Sequence, residues 1–400
     1  MLHEAKRHEP LTATPWDEQA ARTTIAAILD DAIDRFSAEE FWPPHPLDGF
    51  PAEQRHDLYL GSAGTIWALN YLASDPDFAD QREQLAEINR AWLAHSDNES
   101  RPGLLTAGTG ILLVRAMLSG LDRVGNELTR HIDTNSDSPV LEFMWGSPGT
   151  MTAAVWLHEQ TGNAIWAERF CRDAAWLWDR LEFVDKAGCH LWVQHLYGHV
   201  APFLGAVHGF AGNAFALLRG WDLLTAAERT RWAEMLAQSL RATAIREEGG
   251  ANWPQSIGRH RPGRRSALVQ HCHGAPGIVT CLAGFPAADS SDVGIDDLLL
   301  AAGELIWRAG PLVKGPGLCH GTAGNGYAFL KLWRRSGDKR WLERARAFAM
   351  HAIAQQRCDT ARYGQYRYPL WTGDPGLAIY LANCIAGTDR FPMMDFFFGT

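Results

Sequence analysis

The chain has 400 residues, 46% of them apolar and 21% charged, enough material for a buried core, which excludes a disordered chain and a disulfide-stapled mini-protein. A formal net charge of -9 and a pI near 6.0 argue against a general nucleic-acid binder or a protein that coats acidic membranes. Seven cysteines, an odd and scattered set, read as reduced thiols; with no apolar run and cleavage site in the first 25 residues, the expected compartment is the cytoplasm.

The first predicted element is an amphipathic helix near 15–37. It is followed by GSAGTIWAL from Gly61, a Gly-x-x-Gly that leads into an apolar, helix-forming run. That pattern then recurs. An amphipathic segment near 77–96 precedes AGTGILLV, where Ala107 replaces the first glycine and Gly110 is the second. Another near 121–132 precedes GSPGTMTAAVWL at Gly146, and one near 163–180 precedes GFAGNAFALL at Gly209.

Between Lys186 and Arg219 no charged residue occurs, so a hydropathy window marks a membrane span. His190, Gln194, His195, His199, His208 and Asn213 are too many polar groups to leave in hydrocarbon, and no span is expected. The segment near 226–246 opens with Thr225 and Glu228, the spacing of a capping box. It precedes GAPGIVTCL at Gly274. A segment near 292–308, in which Asp296 and Asp297 read as solvated, precedes GTAGNGYAFL at Gly321. In the last, 338–356, Trp341, Leu342, Ala345, Phe348, Ala349 and Ile353 share one face, and GDPGLAIYLA at Gly373 follows.

A helix apolar on all sides and led in by small residues suits an inner ring. An amphipathic partner suits an outer ring with one wet face. Seven of each predict an all-α protein, an α/α toroid. With no linker-like stretch between copies, residues 51–400 form one domain, preceded by an extension (1–50) that carries the first outer helix.

If every inner helix starts on the same side, the residues before each Gly-x-x-Gly converge on one mouth. The residue directly before the first glycine is Leu60, Thr106, Trp145, His208, His273, His320 or Thr372; one earlier stand Tyr59, Leu105, Met144, Val207, Cys272, Cys319 and Trp371. Two thiols and three imidazoles thereby meet, the donor types that Zn²⁺ takes in tetrahedral sites. Three protein ligands would leave a fourth, open position, the catalytic arrangement, and the repeat alone leaves open whether His273 or His320 is the third. Glu142 lies at the same mouth, and the arginines of GRHRPGRR (Arg259, Arg261, Arg264, Arg265) suit a carboxylate or phosphate clamp. Cys189 with His190 precedes no inner helix and reads as structural. Cys171, Cys281, Cys358 and Cys384 read as small buried hydrophobes.

These residues resemble the LanC family of zinc-dependent lanthionine cyclases, and especially its LanC-like branch. The resemblance rests on FLGAVHGFAG around His208, NWPQS at Asn252–Ser256, HCHGAPGIV around Cys272, LCHGTAGNGYAFL around Cys319 and the terminal TGDPGLAIYLA. It implies a toroid with seven inner helices, Zn²⁺ on Cys272, Cys319 and His320, and an acid/base at His208, with Glu142 and His273 as further catalytic residues. The implied reaction adds a thiol across the double bond of dehydroalanine or dehydrobutyrine in a peptide or protein, and in the LanC-like branch the thiol is glutathione. Dedicated peptide cyclases tend to carry Asp at the position of Glu142 and an aromatic residue at that of His273, so both residues favour the LanC-like branch. His271 stands where many relatives have Trp. The alternatives are a lanthipeptide cyclase acting on a precursor peptide and a non-catalytic zinc- or glutathione-binding module. A carbohydrate-active or terpenoid-cyclising toroid would need a carboxylate pair or Asp-rich motif at the mouth, and the sequence has neither there.

Overall fold

The computed structural model describes residues 2–49, 56–95, 100–258, 267–286 and 294–399. Among them run fourteen α-helices: α1 (Glu18–Asp34), α2 (Ser62–Leu72), α3 (Arg82–Ala94), α4 (Gly108–Ser119), α5 (Gly125–Asn135), α6 (Ser147–Thr161), α7 (Ala164–Asp179), α8 (Phe210–Arg219), α9 (Ala226–Thr243), α10 (Ala275–Leu282), α11 (Ile295–Ala309), α12 (Thr322–Ser336), α13 (Lys339–Tyr363) and α14 (Asp374–Ala386). The even-numbered helices are the glycine-led ones and are buried almost throughout. Each packs on the next even-numbered helix, and α14 packs on α2, which closes the ring. The odd-numbered helices lie outside it with one wet face. The architecture is the predicted all-α α/α toroid.

The second glycine of every copy is explained by one recurring contact. A Cβ on Gly64, Gly110, Gly149, Gly212, Gly277, Gly324 or Gly376 would strike the carbonyl oxygen six residues earlier, closer than real Cβ atoms approach. On its other side it would meet the side chain at that same −6 position of the preceding repeat: Leu370, Leu58, Leu104, Phe143, Ala206, His271 and Leu318 in turn. Small residues therefore let each inner helix seat on its own turn and on its neighbour's turn at once. The first glycines sit in extended backbone except Gly274, whose φ of +104° is open to glycine and strained for other residues.

The pairing of the two rings departs from a simple reading in chain order. Several outer helices pack mainly on the inner helix that precedes them, as α7 does on α6 and α13 on α12, whereas α9 packs on the strand Cys189–Trp192 and on α11, and α1 fills the remaining place by packing on α14. Ala21, Ile25, Ile28 and Leu29 of α1 accordingly belong to the common core. Three antiparallel hairpins interrupt the helices: β1 (Leu181–Val184) with β2 (Cys189–Trp192), β3 (Gln194–Leu196) with β4 (His199–Ala201), and β5 (Ile245–Glu247) with β6 (Gly250–Asn252). The charge-free stretch after Lys186 thus becomes β2, β3, β4 and α8, and no helix among the described residues is long and apolar enough to cross a membrane. The capping box at Thr225 and Glu228 opens α9 as predicted.

Two cysteines differ from expectation. Cys358 is exposed on α13 and Cys171 is half-buried with its thiol against the Leu223 carbonyl, because α7 and α13 are outer helices; Cys281 and Cys384, on inner helices, are buried. Asp296 is not simply solvated either, since it pairs with Arg335 of α12.

Residues 391–398 close the ring's axis. Phe391, Met393, Met394, Phe396 and Phe397 are buried. Trp67 of α2 donates its indole N–H to the Phe397 carbonyl (3.0 Å), the Phe397 ring lies 5.3 Å from Trp156 of α6, and Lys331 of α12 donates to Asp395 (2.7 Å). No two of these three inner helices are neighbours, so the segment bridges the ring.

Asp374, the first residue of α14, is buried, and burial pushes its carboxyl up to about 7 even though the Arg367 N–H donates to Oδ2 (2.8 Å). The folded value lies above the ordinary 3.8, so the native state holds the extra proton between those limits. Stability therefore falls as pH rises from 4 to 7, by at most about 4 kcal/mol. Asp374→Asn, which keeps an acceptor for Arg367, is expected to flatten this slope and to unfold at higher urea than the parent at pH 8. Parallel denaturation profiles for the two proteins across this range would contradict the assignment.

Candidate metal centre and active site

The loops that lead into the inner helices are stitched into a second, smaller ring. Backbone N–H groups of Tyr59, Leu105, Phe143, Cys272, Cys319 and Trp371 donate in turn to the carbonyls of Leu105, Met144, Val207, Cys319, Trp371 and Tyr59. All seven repeats thus present their lead-in residues at one mouth, as the repeat predicts. The fourth and fifth repeats meet at Gly205, where a Cβ would strike the Cys272 carbonyl and crowd His273 Nδ1.

In this ring the ligand atoms of Cys272, Cys319 and His320 lie within 4.8 Å of one another. They come from adjacent repeats, and both thiols are buried. Two sulfurs and one imidazole nitrogen form a donor set suited to a tetrahedral Zn²⁺ with one position left for an exogenous ligand. His273 is not part of the cluster. Its backbone pairs with Gln270 and its ring faces Gly205.

The two thiols differ in their readiness for charge. The Cys272 thiol is held well below its usual range because Cys319 donates a hydrogen bond to it and His273 and His320 stand close; Cys319, the donor, is pushed up by that bond and by burial. Each sulfur also has a neutral donor: Tyr59 Oη–H donates to Cys319 Sγ (2.7 Å), and Gln270 Nε2–H to Cys272 Sγ (2.9 Å). Burial, followed by the two nearby thiols, pushes the Tyr59 hydroxyl well up, which keeps it a donor. Asn252, of the NWPQS motif, holds the loop from behind. Its Nδ2 donates to the carbonyls of Leu2 (2.7 Å) and Leu268 (3.0 Å), and its Oδ1 accepts from Trp253 N–H and from Ala275 N–H at the start of α10.

The next repeat in the ring carries His208, whose Nδ1 lies 2.7 Å from Glu142 Oε2. Glu142 is fully buried, and it also accepts from the N–H groups of Met144 (3.1 Å) and Trp145 (2.6 Å). A carboxylate so engaged only accepts, so the proton of the neutral imidazole sits on Nδ1 and Nε2 is the reactive nitrogen. Nε2 meets the Tyr197 hydroxyl (2.9 Å), carried on the tight turn of the β3–β4 hairpin where Tyr197 and Gly198 both have positive φ. Trp145 lies against the imidazole with ring centroids 5.1 Å apart, its indole N–H donated to Thr106 Oγ1 (2.5 Å).

His271 is buried with neither ring nitrogen hydrogen-bonded, stacked on Phe391 at 4.4 Å, and burial lowers it to about 4. It stays neutral and fills the floor beneath Cys272 as an aromatic disc. The predicted arginine clamp, Arg259, Arg261, Arg264 and Arg265, lies outside the described residues. Tyr197 and Gln270 carried no signal in the sequence; Tyr59 was visible only as the first-repeat counterpart of the two cysteines.

The pattern of the lanthionine synthetase C-like protein family matches residues 52–396. The chain is 30% identical over 259 residues to LanC-like protein GCL1 of Arabidopsis thaliana, covering 63% of this chain and 57% of that protein. It is 30% identical over 194 residues to Glutathione S-transferase LANCL1 of Danio rerio, covering 48% of this chain and 46% of that protein. It thus spans about half the length of these curated relatives. Among solved structures, nisin cyclase superposes with a TM-score of 0.64 at 14% identity over 93% of this chain and 96% of that one, a likeness of fold. With the glycine-led ring and the Cys-Cys-His mouth in place, the chain belongs to the lanthionine synthetase C-like family.

Proposed function

We propose that this protein adds a thiol, glutathione foremost, to dehydroalanine or dehydrobutyrine residues of a peptide or protein, with Zn²⁺ held by Cys272, Cys319 and His320. The observation that carries the reading is the convergence, on one mouth, of a three-donor cluster and a buried His208–Glu142 pair. Bound Zn²⁺ would supply a thiolate at neutral pH by lowering the pKa of the incoming thiol. His208 Nε2 takes the thiol's proton while Glu142 steadies the imidazolium through Nδ1–H. The sulfur forms a C–S bond at the β-carbon, the π electrons move to the carbonyl oxygen, and His208 returns the same proton to the α-carbon. Atoms balance, with no co-reactant. His273, beside Cys272, adds positive field when protonated.

The presence of Glu142 and His273 favours the LanC-like branch over peptide cyclisation, as does likeness to a relative named a glutathione transferase. The basic loop at Arg259, Arg261, Arg264 and Arg265 would bind glutathione's carboxylates. Seven free thiols suit a reducing compartment such as the cytoplasm.

The test is mass-spectrometric detection of the adduct from a dehydroalanine peptide and glutathione, with X-ray absorption on the zinc-loaded protein. Adduct formation faster with glutathione than with 2-mercaptoethanol, the margin shrinking with salt, is expected. The sulfur count should rise from the two of the cluster by one when thiol is added. Turnover only with a peptide that carries its own cysteine would favour a cyclase, and no turnover with an unchanged sulfur count would favour a binding module.

A further inference from the structure

Beside the mouth lies a cleft of about 410 Å³ that the reaction above does not use. Arg101, Pro102, Thr134, Asp137, Ser138 and Trp145 line it, and its size falls in the range of small-ligand pockets, about 300–1,000 Å³. One of its walls, Trp145, touches the catalytic pair. Trp145 lays its indole against His208 and donates its backbone N–H to Glu142, while its carbonyl accepts from Asn135 Nδ2 (3.1 Å) at the back of the cleft. The opposite floor is Gly103, where a Cβ would strike the Trp145 backbone.

The order of repeats around the mouth sets a direction. The Cys-Cys-His cluster belongs to the fifth and sixth copies, His208 to the fourth, Trp145 to the third, and Gly103 and Ala107 to the second. An acceptor with its β-carbon toward the cluster and its α-carbon at His208 therefore continues past Trp145 toward the cleft. The lining offers donors (Arg101, Ser138, Thr134) and an acceptor (Asp137), with flat apolar walls from Pro102, Pro139 and Trp145. A polypeptide brings both amide N–H and carbonyl groups to such a surface. Opposite charges at Arg101 and Asp137 give the cleft little net field to attract an anion, which sets it apart from a glutathione site.

The geometry points to the cleft as the subsite for the polypeptide segment that flanks the dehydroamino acid. This rests on the thioether-forming reading, and the experiment separates the two. Fluorescence anisotropy of a labelled decapeptide with a central dehydroalanine measures binding to the zinc-loaded protein without turnover. Kinetics with that peptide and with N-acetyl-dehydroalanine methylamide, each with glutathione, measure the reaction.

Thr134→Trp, at an exposed rim position of α5, fills the cleft without touching His208 or Glu142. It is expected to weaken decapeptide binding and raise its KM at least 10-fold, while KM for the small acceptor and for glutathione stays within twofold. Arg101→Ala, which adds no bulk, should move the same two values in the same direction by at least 3-fold. Parent-like decapeptide binding in both variants, equal loss with both acceptors, or no decapeptide binding by the parent would overturn the subsite. Cleft-dependent binding without any adduct would instead leave the subsite standing and remove the reaction.

Discussion

Replacing His208 by alanine is expected to slow thioether formation by about 10²–10⁴-fold, the usual worth of a positioned general acid or base, while zinc content stays unchanged. The imidazole is bound through Nδ1 to a fully buried carboxylate and offers Nε2 to the mouth, an arrangement for moving a proton. It lies outside the three-donor cluster. Metal analysis beside turnover of a dehydroalanine peptide separates the roles, because zinc loss in this variant would make His208 a ligand. The deletion should also leave glutathione binding to the metal intact, so the third sulfur should still be seen by X-ray absorption. A variant that kept both zinc and full turnover would remove His208 from the mechanism altogether.

Cys272→Ala and Cys319→Ala are each expected to release most of the metal and with it the activity. Changing an outer-shell partner weakens metal binding by about 10–100-fold, so losing one of three direct donors should exceed that range. His320→Ala should behave like the cysteine variants, and His273→Ala should retain zinc, since only the former ring lies within the 4.8 Å cluster. Competition with a chelator of known affinity ranks the four. Retention by His320→Ala together with loss in His273→Ala would exchange the two histidines and require the Gln270–His273 turn to open.

The inner ring was legible because one steric fact repeats seven times. A glycine that must clear the carbonyl six residues before it and the side chain of the neighbouring repeat cannot be replaced quietly, so Gly64 through Gly376 punctuate the chain. The mouth followed from the same register. Glu142 was legible by position and illegible by environment, since nothing in its flanking residues tells that three N–H groups will enclose it. Tyr197 lies on a hairpin of three-residue strands, too short for alternation to show. The packing of α1 on α14 and the bridge formed by 391–398 depend on contacts across most of the chain's length, for which local periodicity has no signal. Cys358 was misplaced because an apolar neighbourhood in sequence is only partly buried when the helix belongs to the outer ring.

The bridge made by 391–398 also dictates an order of assembly. Cys319 is held by Tyr59 from the first repeat and Trp371 from the last, and His271, beside Cys272, rests on Phe391. A ribosome delivers Tyr59 early and Phe391 more than three hundred residues later, so a nascent chain can build most of its helices yet still lack the surroundings of both sulfurs. Contacts of such sequence separation form late and slowly. Completion of the three-donor cluster thereby becomes a late event of biosynthesis: the surroundings of both sulfurs are finished only on molecules whose two ends have found each other, and a Zn²⁺ ion arriving earlier would meet only loose thiols.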